Sequence, residues 1–165
     1  MTSRPFVKQP AEGRAVWHVG ALLTFKATGA ETGGQFWLAE QLSPVGYASP
    51  VHLHTREDEL FIVQEGELVL RVGDDEHKAG PGAMVYAPRG IAHQYRVETA
   101  GTRFLVLGTP AGFEEWFFRT GEPATRRELP PPPQGPPDFA RLLGELGPLG
   151  VQVVGPPPGA GGPPR

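Results

Sequence analysis

Four residues on two short segments constrain this chain more than anything else in it. Residues 46–66 read GYASPVHLHTREDELFIVQEG and residues 82–93 read GAMVYAPRGIAH, so three of the five histidines, with Glu59, fall on two glycine-marked segments. His52 and His54 are two positions apart. On an extended strand side chains alternate, so both imidazoles point to one face. Glu59 follows in the same segment and His93 arrives from the second. Imidazole nitrogens with one carboxylate suit a single divalent transition metal (Fe, Mn, Ni, Co, Cu or Zn) and not an all-oxygen calcium cage. Four protein ligands leave one or two coordination positions open, which points to a catalytic metal and not a closed structural one. His18 and His77 stand apart from this group and read as structural hydrogen-bonders.

Around these segments, short runs rich in Val, Leu, Phe and Trp recur between turn signals, at 21–26, 35–42, 59–63, 67–72, 83–87, 94–98 and 103–107. Short strands at regular spacing predict an all-β sandwich or barrel. Gly73-Asp74-Asp75 reads as a hairpin turn into a short run at 76–79, and Gly80-Pro81-Gly82 as a corner that cannot continue a ladder. No internal repeat is present, so the chain is expected to form one barrel.

The two segments resemble the paired motifs of the cupin superfamily, G(X)5HXH(X)4E(X)6G and G(X)5PXG(X)2H(X)3N. Gly46, His52, His54, Glu59 and Gly66 fill the first; Gly82, Pro88, Gly90 and His93 fill the second, with Val97 in place of its final Asn. The resemblance covers about residues 35–110 and implies a single-domain cupin, a double-stranded β-helix or jelly-roll barrel with short C-terminal helices. It implies His52, His54, Glu59 and His93 as metal ligands; the family's Asn is not one. The stretch 49–97 followed by GTPAGFEEWFF at 108–118 looks most like bacterial quercetinase-like single-domain cupins. That likeness implies a metal-dependent dioxygenase acting on a flavonol or another enolisable aromatic. In that family the substrate's enol oxygen binds the metal, the ligand glutamate takes its proton, and dioxygen adds to the activated ring. Glu59 would then combine ligand and base. A redox-neutral isomerase, decarboxylase, dehydratase or cyclase, or a non-catalytic small-molecule binder, would use the same cup.

Strand parity puts Phe61 and Val63 on the face of Glu59, and Tyr95 on the face of His93. These three are candidate substrate contacts in an apolar, aromatic-lined cup with the metal at its base, and equally candidates for plain core packing.

The rest of the chain bounds the partners. At 165 residues it is long enough for one domain with a real core. With 15 basic and 18 acidic residues it carries a net charge of -3, and so lacks the basic footprint of a nucleic-acid binder. No apolar run reaches membrane-spanning length and the N-terminus does not read as a signal peptide, so a cytoplasmic address is expected. The absence of cysteine removes disulfides and thiol chemistry. The expected partners are a small-molecule substrate, with dioxygen in the dioxygenase reading, and a second copy in a homodimer, since barrels of this kind leave edges and apolar outer faces.

The expected organisation is a barrel with its first C-terminal helix over residues 1–128, a proline-rich spacer over 129–137, a short docked helical segment over 138–154, and a disordered tail over 155–165. The first helix is predicted from Thr109 as cap and Pro110 as first helical residue to about Arg119. Its Phe113, Trp116 and Phe117 share one face, which either covers the barrel's outside or closes the substrate mouth. Asp138 is predicted to cap the second helix, whose Phe139, Leu142, Leu143 and Leu146 form an apolar stripe that must dock.

Overall fold

The computed structural model describes residues 4–157. In chain order the elements are β1 (Arg14–His18), β2 (Ala21–Ala27), α1 (Gly29–Thr32), β3 (Trp37–Ser43), β4 (Val51–His54), β5 (Asp58–Glu65), β6 (Leu68–Val72), β7 (Asp75–Ala79), β8 (Met84–Ala87), β9 (His93–Val97), β10 (Thr102–Thr109), α2 (Glu114–Thr120), β11 (Glu122–Pro123), α3 (Phe139–Gly144), a 3-10 turn (Gly147–Leu149) and β12 (Val151–Gly155). The strands form two antiparallel sheets, β11-β1-β2-β3-β10-β5-β8 and β12-β4-β9-β6-β7. This is the expected all-β jelly-roll barrel, and every predicted strand is present within one or two residues of its expected bounds. No helix among the described residues is long and apolar enough to cross a membrane.

Alternation drives the packing. Along β3, β5, β9 and β10 every second residue is buried, so Trp37, Ala39, Phe61, Val63, Tyr95, Val97, Phe104 and Val106 fill the space between the sheets. Completely burying side chains of this size stabilises by about 1.5–3 kcal/mol each, so the inter-sheet core dominates the fold. Gly66 shows why the motif glycines matter. Its φ of 78° favours glycine, and a Cβ there would run into the Thr99 and Thr102 hydroxyls. Val97, where the cupin motif has Asn, is fully buried. Its backbone does the work of the turn, donating to Tyr47 O at 2.8 Å and accepting from Gly46 N at 2.9 Å.

Three expectations need correction. Thr109 does not cap a helix: it is the last residue of β10, pairs with Asp58, and donates its hydroxyl to Gln35 O at 2.8 Å. With Thr109 committed to the ladder, α2 begins only at Glu114, whose carboxylate accepts from Gly29 N and Gly112 N, both at 2.7 Å. The second correction concerns 138–154, which is not helical throughout. Val151–Gly155 is a strand paired with β4, as its β-branched VQVV run favours. That strand also extends into the expected tail; residues 158–165 of the tail lie outside the described residues. The third concerns the α3 stripe. Asp138 does cap α3 by accepting from Arg141 N at 3.0 Å, but the helix ends at Gly144, and only Leu146, beyond it, is buried. Phe139 and Leu143 remain 60% and 50% exposed.

Candidate metal centre and substrate cavity

The two sheets meet where the motif residues lie. His52 and His54 on β4 and His93 on β9 belong to one sheet, where His52 and His93 are register partners; Glu59 on β5 faces them from the other. One ligand atom from each of His52, His54, Glu59 and His93 lies within 4.8 Å of every other, a group that could hold one metal ion. The motif loop fixes this placement from both sides. Gly90 N donates to His54 O at 2.8 Å, and Asp58 grips Arg89 through Nε at 3.0 Å, Nη2 at 2.9 Å and the backbone N at 2.8 Å. These Arg89 contacts hold the Asp58 carboxyl at about 2.

The hydrogen bonds around the histidines settle which nitrogens face inward. His52 Nδ1 lies 2.8 Å from Pro50 O and His93 Nδ1 lies 3.0 Å from Ile91 O. A carbonyl can only accept, so each Nδ1 donates; His52 Nε2 is then left with its lone pair, while His93 Nε2 faces the Glu59 carboxylate, where a bound ion would take the place of a shared proton. His54 Nδ1 lies 3.3 Å from the Glu57 carboxylate in ion-pair contact, and both His54 nitrogens are buried without a hydrogen-bond partner. Backbone or carboxylate behind a ligating imidazole is the usual way to aim it at a metal. The Glu59 carboxylate completes the set, 3.0 Å from His93 Nε2 and 3.5 Å from His54 Nε2. A largely buried set of three imidazoles and one carboxylate, with His54 Nε2 unpartnered, fits a divalent transition metal.

The electrostatics agree. Burial drives the His52 imidazole down to about 4, helped by His93 and His54. Burial alone would raise Glu59, but His54, His93 and His52 outweigh it and hold the carboxyl at about 2. His54 goes the other way: burial lowers it, yet the Glu59 and Glu57 carboxylates raise it overall. Glu57 is pushed up by burial, which His54 only partly offsets. Glu57 was not anticipated from sequence; its position three residues after His54 was the available signal.

Above these residues opens a cavity of about 340 Å³, at the lower end of the small-molecule range. Its wall includes His52, Glu59, Phe61, Tyr95, Phe113, Trp116 and Phe117. Of the expected contacts, Phe61 and Tyr95 reach the cavity, while Val63 is buried in the core and does not line it. The α2 aromatics both pack and close: Phe113 meets His54 edge-on at 4.7 Å and stacks on Trp116 at 5.4 Å. Leu142, Leu143 and Leu146 of the α3 region, with Val151 and Val153 of β12, form a further wall. Trp116 Nε1 ties α2 to this segment by donating to Leu142 O at 2.9 Å. His18, read as a structural hydrogen-bonder, also lines the cavity, whereas His77 is exposed on β7.

A single jelly-roll barrel presenting three imidazoles and a carboxylate at an apolar mouth is the architecture of a cupin. The cupin domain family model matches residues 39–108. The chain is 30% identical to a crystal structure of a cupin-superfamily sugar phosphate isomerase from Silicibacter pomeroyi, covering 64% of this chain and 75% of that one at a TM-score of 0.52. It belongs to the cupin superfamily. The same fold is seen in an RmlC-like cupin from Shewanella frigidimarina, 17% identical, with 68% of this chain and 96% of that one covered at a TM-score of 0.57. Quercetin 2,3-dioxygenase of Bacillus subtilis is 27% identical over 152 residues, 92% of this chain. Those residues span 45% of that relative's length.

Proposed function

We propose that this chain is a metal-dependent cupin dioxygenase acting on a flavonol-like or other enolisable aromatic molecule, with His52, His54, Glu59 and His93 as the ligands of one divalent transition metal. The observation that carries this reading is the four-residue cluster at one end of a largely apolar cavity, with His52 and Glu59 in the cavity wall. A planar ring system can lie against Phe61, Phe113 and Trp116 while an enol oxygen reaches the polar end. The similarity to quercetin 2,3-dioxygenase supports the choice of substrate class. When bound, the metal supplies Lewis acidity and a redox partner for dioxygen. Glu59, held ionised by its histidine neighbours, accepts the enol proton, and the aromatic wall positions the ring and keeps water away from it.

Oxygen uptake tests the reading. The chain, loaded in turn with Fe, Mn, Ni, Co or Cu, is expected to consume dioxygen only with an enolisable aromatic present. The relative named as a sugar phosphate isomerase favours a second reading, a redox-neutral rearrangement, for which substrate would disappear without oxygen uptake. If neither substrate nor oxygen is consumed, the cup is a binding module.

We also infer a homodimer. On the outer face of the larger sheet the register places Leu38, Leu107, Leu60 and Tyr86 in one row across β3, β10, β5 and β8, with Leu105, Ile62 and Met84 in the next. Tyr86 and Met84, on the edge strand β8, are 51% and 60% exposed. Such a face matches itself under a twofold axis, the commonest closed symmetry. Sedimentation at micromolar concentration should show a dimer, and a stable 17.7 kDa monomer would rule it out.

A further inference from the structure

His18 is a buried, unspent polar group in the cavity wall. It ends β1, is 2% exposed, and lies against Trp116 at 4.4 Å and edge-on to Phe117 at 5.1 Å. Its Nε2 is 2.9 Å from Thr120 Oγ1, and that hydroxyl in turn lies 2.6 Å from Trp116 O. A threonine hydroxyl has one proton, and the carbonyl can only accept. The Thr120 proton therefore goes to Trp116 O, and His18 Nε2–H donates to Thr120. This fixes the neutral tautomer and leaves Nδ1 as a bare acceptor, buried with no partner in the protein.

Other polar groups of the wall are engaged at least in part. Gln41 Nε2 donates to Ser43 Oγ at 2.9 Å and Tyr95 Oη at 3.0 Å, and Ser49 Oγ accepts from Tyr95 N at 3.1 Å. A buried acceptor without a partner is destabilising, a penalty that a correctly placed donor on a ligand would remove. Burial also holds the His18 imidazole at about 4, so the ring stays neutral and its lone pair available across the physiological range.

We propose that His18 is a second polar anchor of the cavity, its Nδ1 accepting a hydrogen bond from a hydroxyl of an aromatic ligand. The inference rests on the reading of the cavity as a hydroxyaromatic site, and it makes that site selective for ring systems carrying a hydroxyl besides the one directed to Glu59 and the three histidines. His18 touches neither those histidines nor Glu59, so it serves recognition and is separable from metal binding.

The test uses the full chain loaded with zinc, which is redox-silent, titrated with 2,7-dihydroxynaphthalene and with its monomethyl ether, 7-methoxy-2-naphthol, which keeps one hydroxyl for the metal end and lacks the second. Wild type should prefer the diol. His18→Phe keeps an aromatic ring but removes the acceptor, and should reduce that preference about tenfold by weakening the diol alone, the scale of one neutral hydrogen bond. His18→Asn, whose carboxamide oxygen falls near the Nδ1 position, should restore part of it. On ring-labelled wild-type protein, the unprotonated His18 Nδ1 resonance should move upfield with the diol and stay in place with the monomethyl ether, a readout that survives if His18→Phe does not fold. Equal weakening of both probes, an unchanged preference, an unresponsive resonance, or failure of wild type to bind the diol would each overturn the proposal. Lack of oxygen uptake alongside an intact, His18-dependent preference would defeat the dioxygenase reading and leave this one standing.

Discussion

Replacing Glu59 with Gln is expected to keep at least part of the metal and to lower turnover by about 10²- to 10⁴-fold, the range typical of a lost general base. The amide still offers an oxygen to an ion held by three imidazoles, and its volume matches the carboxylate it replaces. What it cannot do is accept a proton. The substitution isolates that role because Glu59 is 5% exposed and contacts only His54 and His93 through its carboxylate, so little else changes with it. The measurement is the rate of substrate loss at metal content matched to wild type. A near wild-type rate would leave Glu59 as a ligand and move the proton acceptor elsewhere; Glu57 is not that group, because it sits behind His54 on the side away from Nε2.

The site was more legible in the sequence than its surroundings, for a physical reason. A two-residue spacing on a strand fixes the relative direction of His52 and His54 whatever the tertiary context, and the same parity placed Phe61 beside Glu59 and Tyr95 beside His93. What parity cannot give is depth along the strand. Val63 shares the face of Phe61 yet lies too far down β5 to meet the cavity. The start of α2 was misread because Thr-Pro is a good local helix signal, whereas the choice was made by the long-range pairing of Thr109 with Asp58. The cavity's outer wall was hidden for the same reason. Nothing local to VQVV says that it will add to β4, and nothing local to Leu142 says that Trp116 will bond to its carbonyl. His18 is the sharpest case: an isolated histidine on a strand is ordinarily structural, and only the Thr120–Trp116 hydrogen bond reveals the free nitrogen.

Substituting either His52 or His93 with Ala should lower metal content while leaving the barrel folded. Each histidine is aimed by a short backbone contact, to Pro50 O and Ile91 O, so no neighbouring side chain can swing in to replace the lost Nε2. Two histidines and the Glu59 carboxylate would remain, a set that still binds a divalent ion but with one donor fewer, so the ion should be held more weakly and lost more readily to a chelator. The fold should survive because its stability lies in the inter-sheet residues Trp37, Phe25, Phe61 and Phe104, all at most 2% exposed, and not in the half-buried His52. His93 is 3% exposed, so its removal should cost more stability, on the order of 1–3 kcal/mol for the cavity and the unpaired Ile91 carbonyl, without unfolding the domain. Metal analysis and thermal melts on the same preparations separate the two effects. Full metal content with a lowered melting temperature would mean that these histidines are packing residues, and the ion would have to be sought elsewhere in the chain.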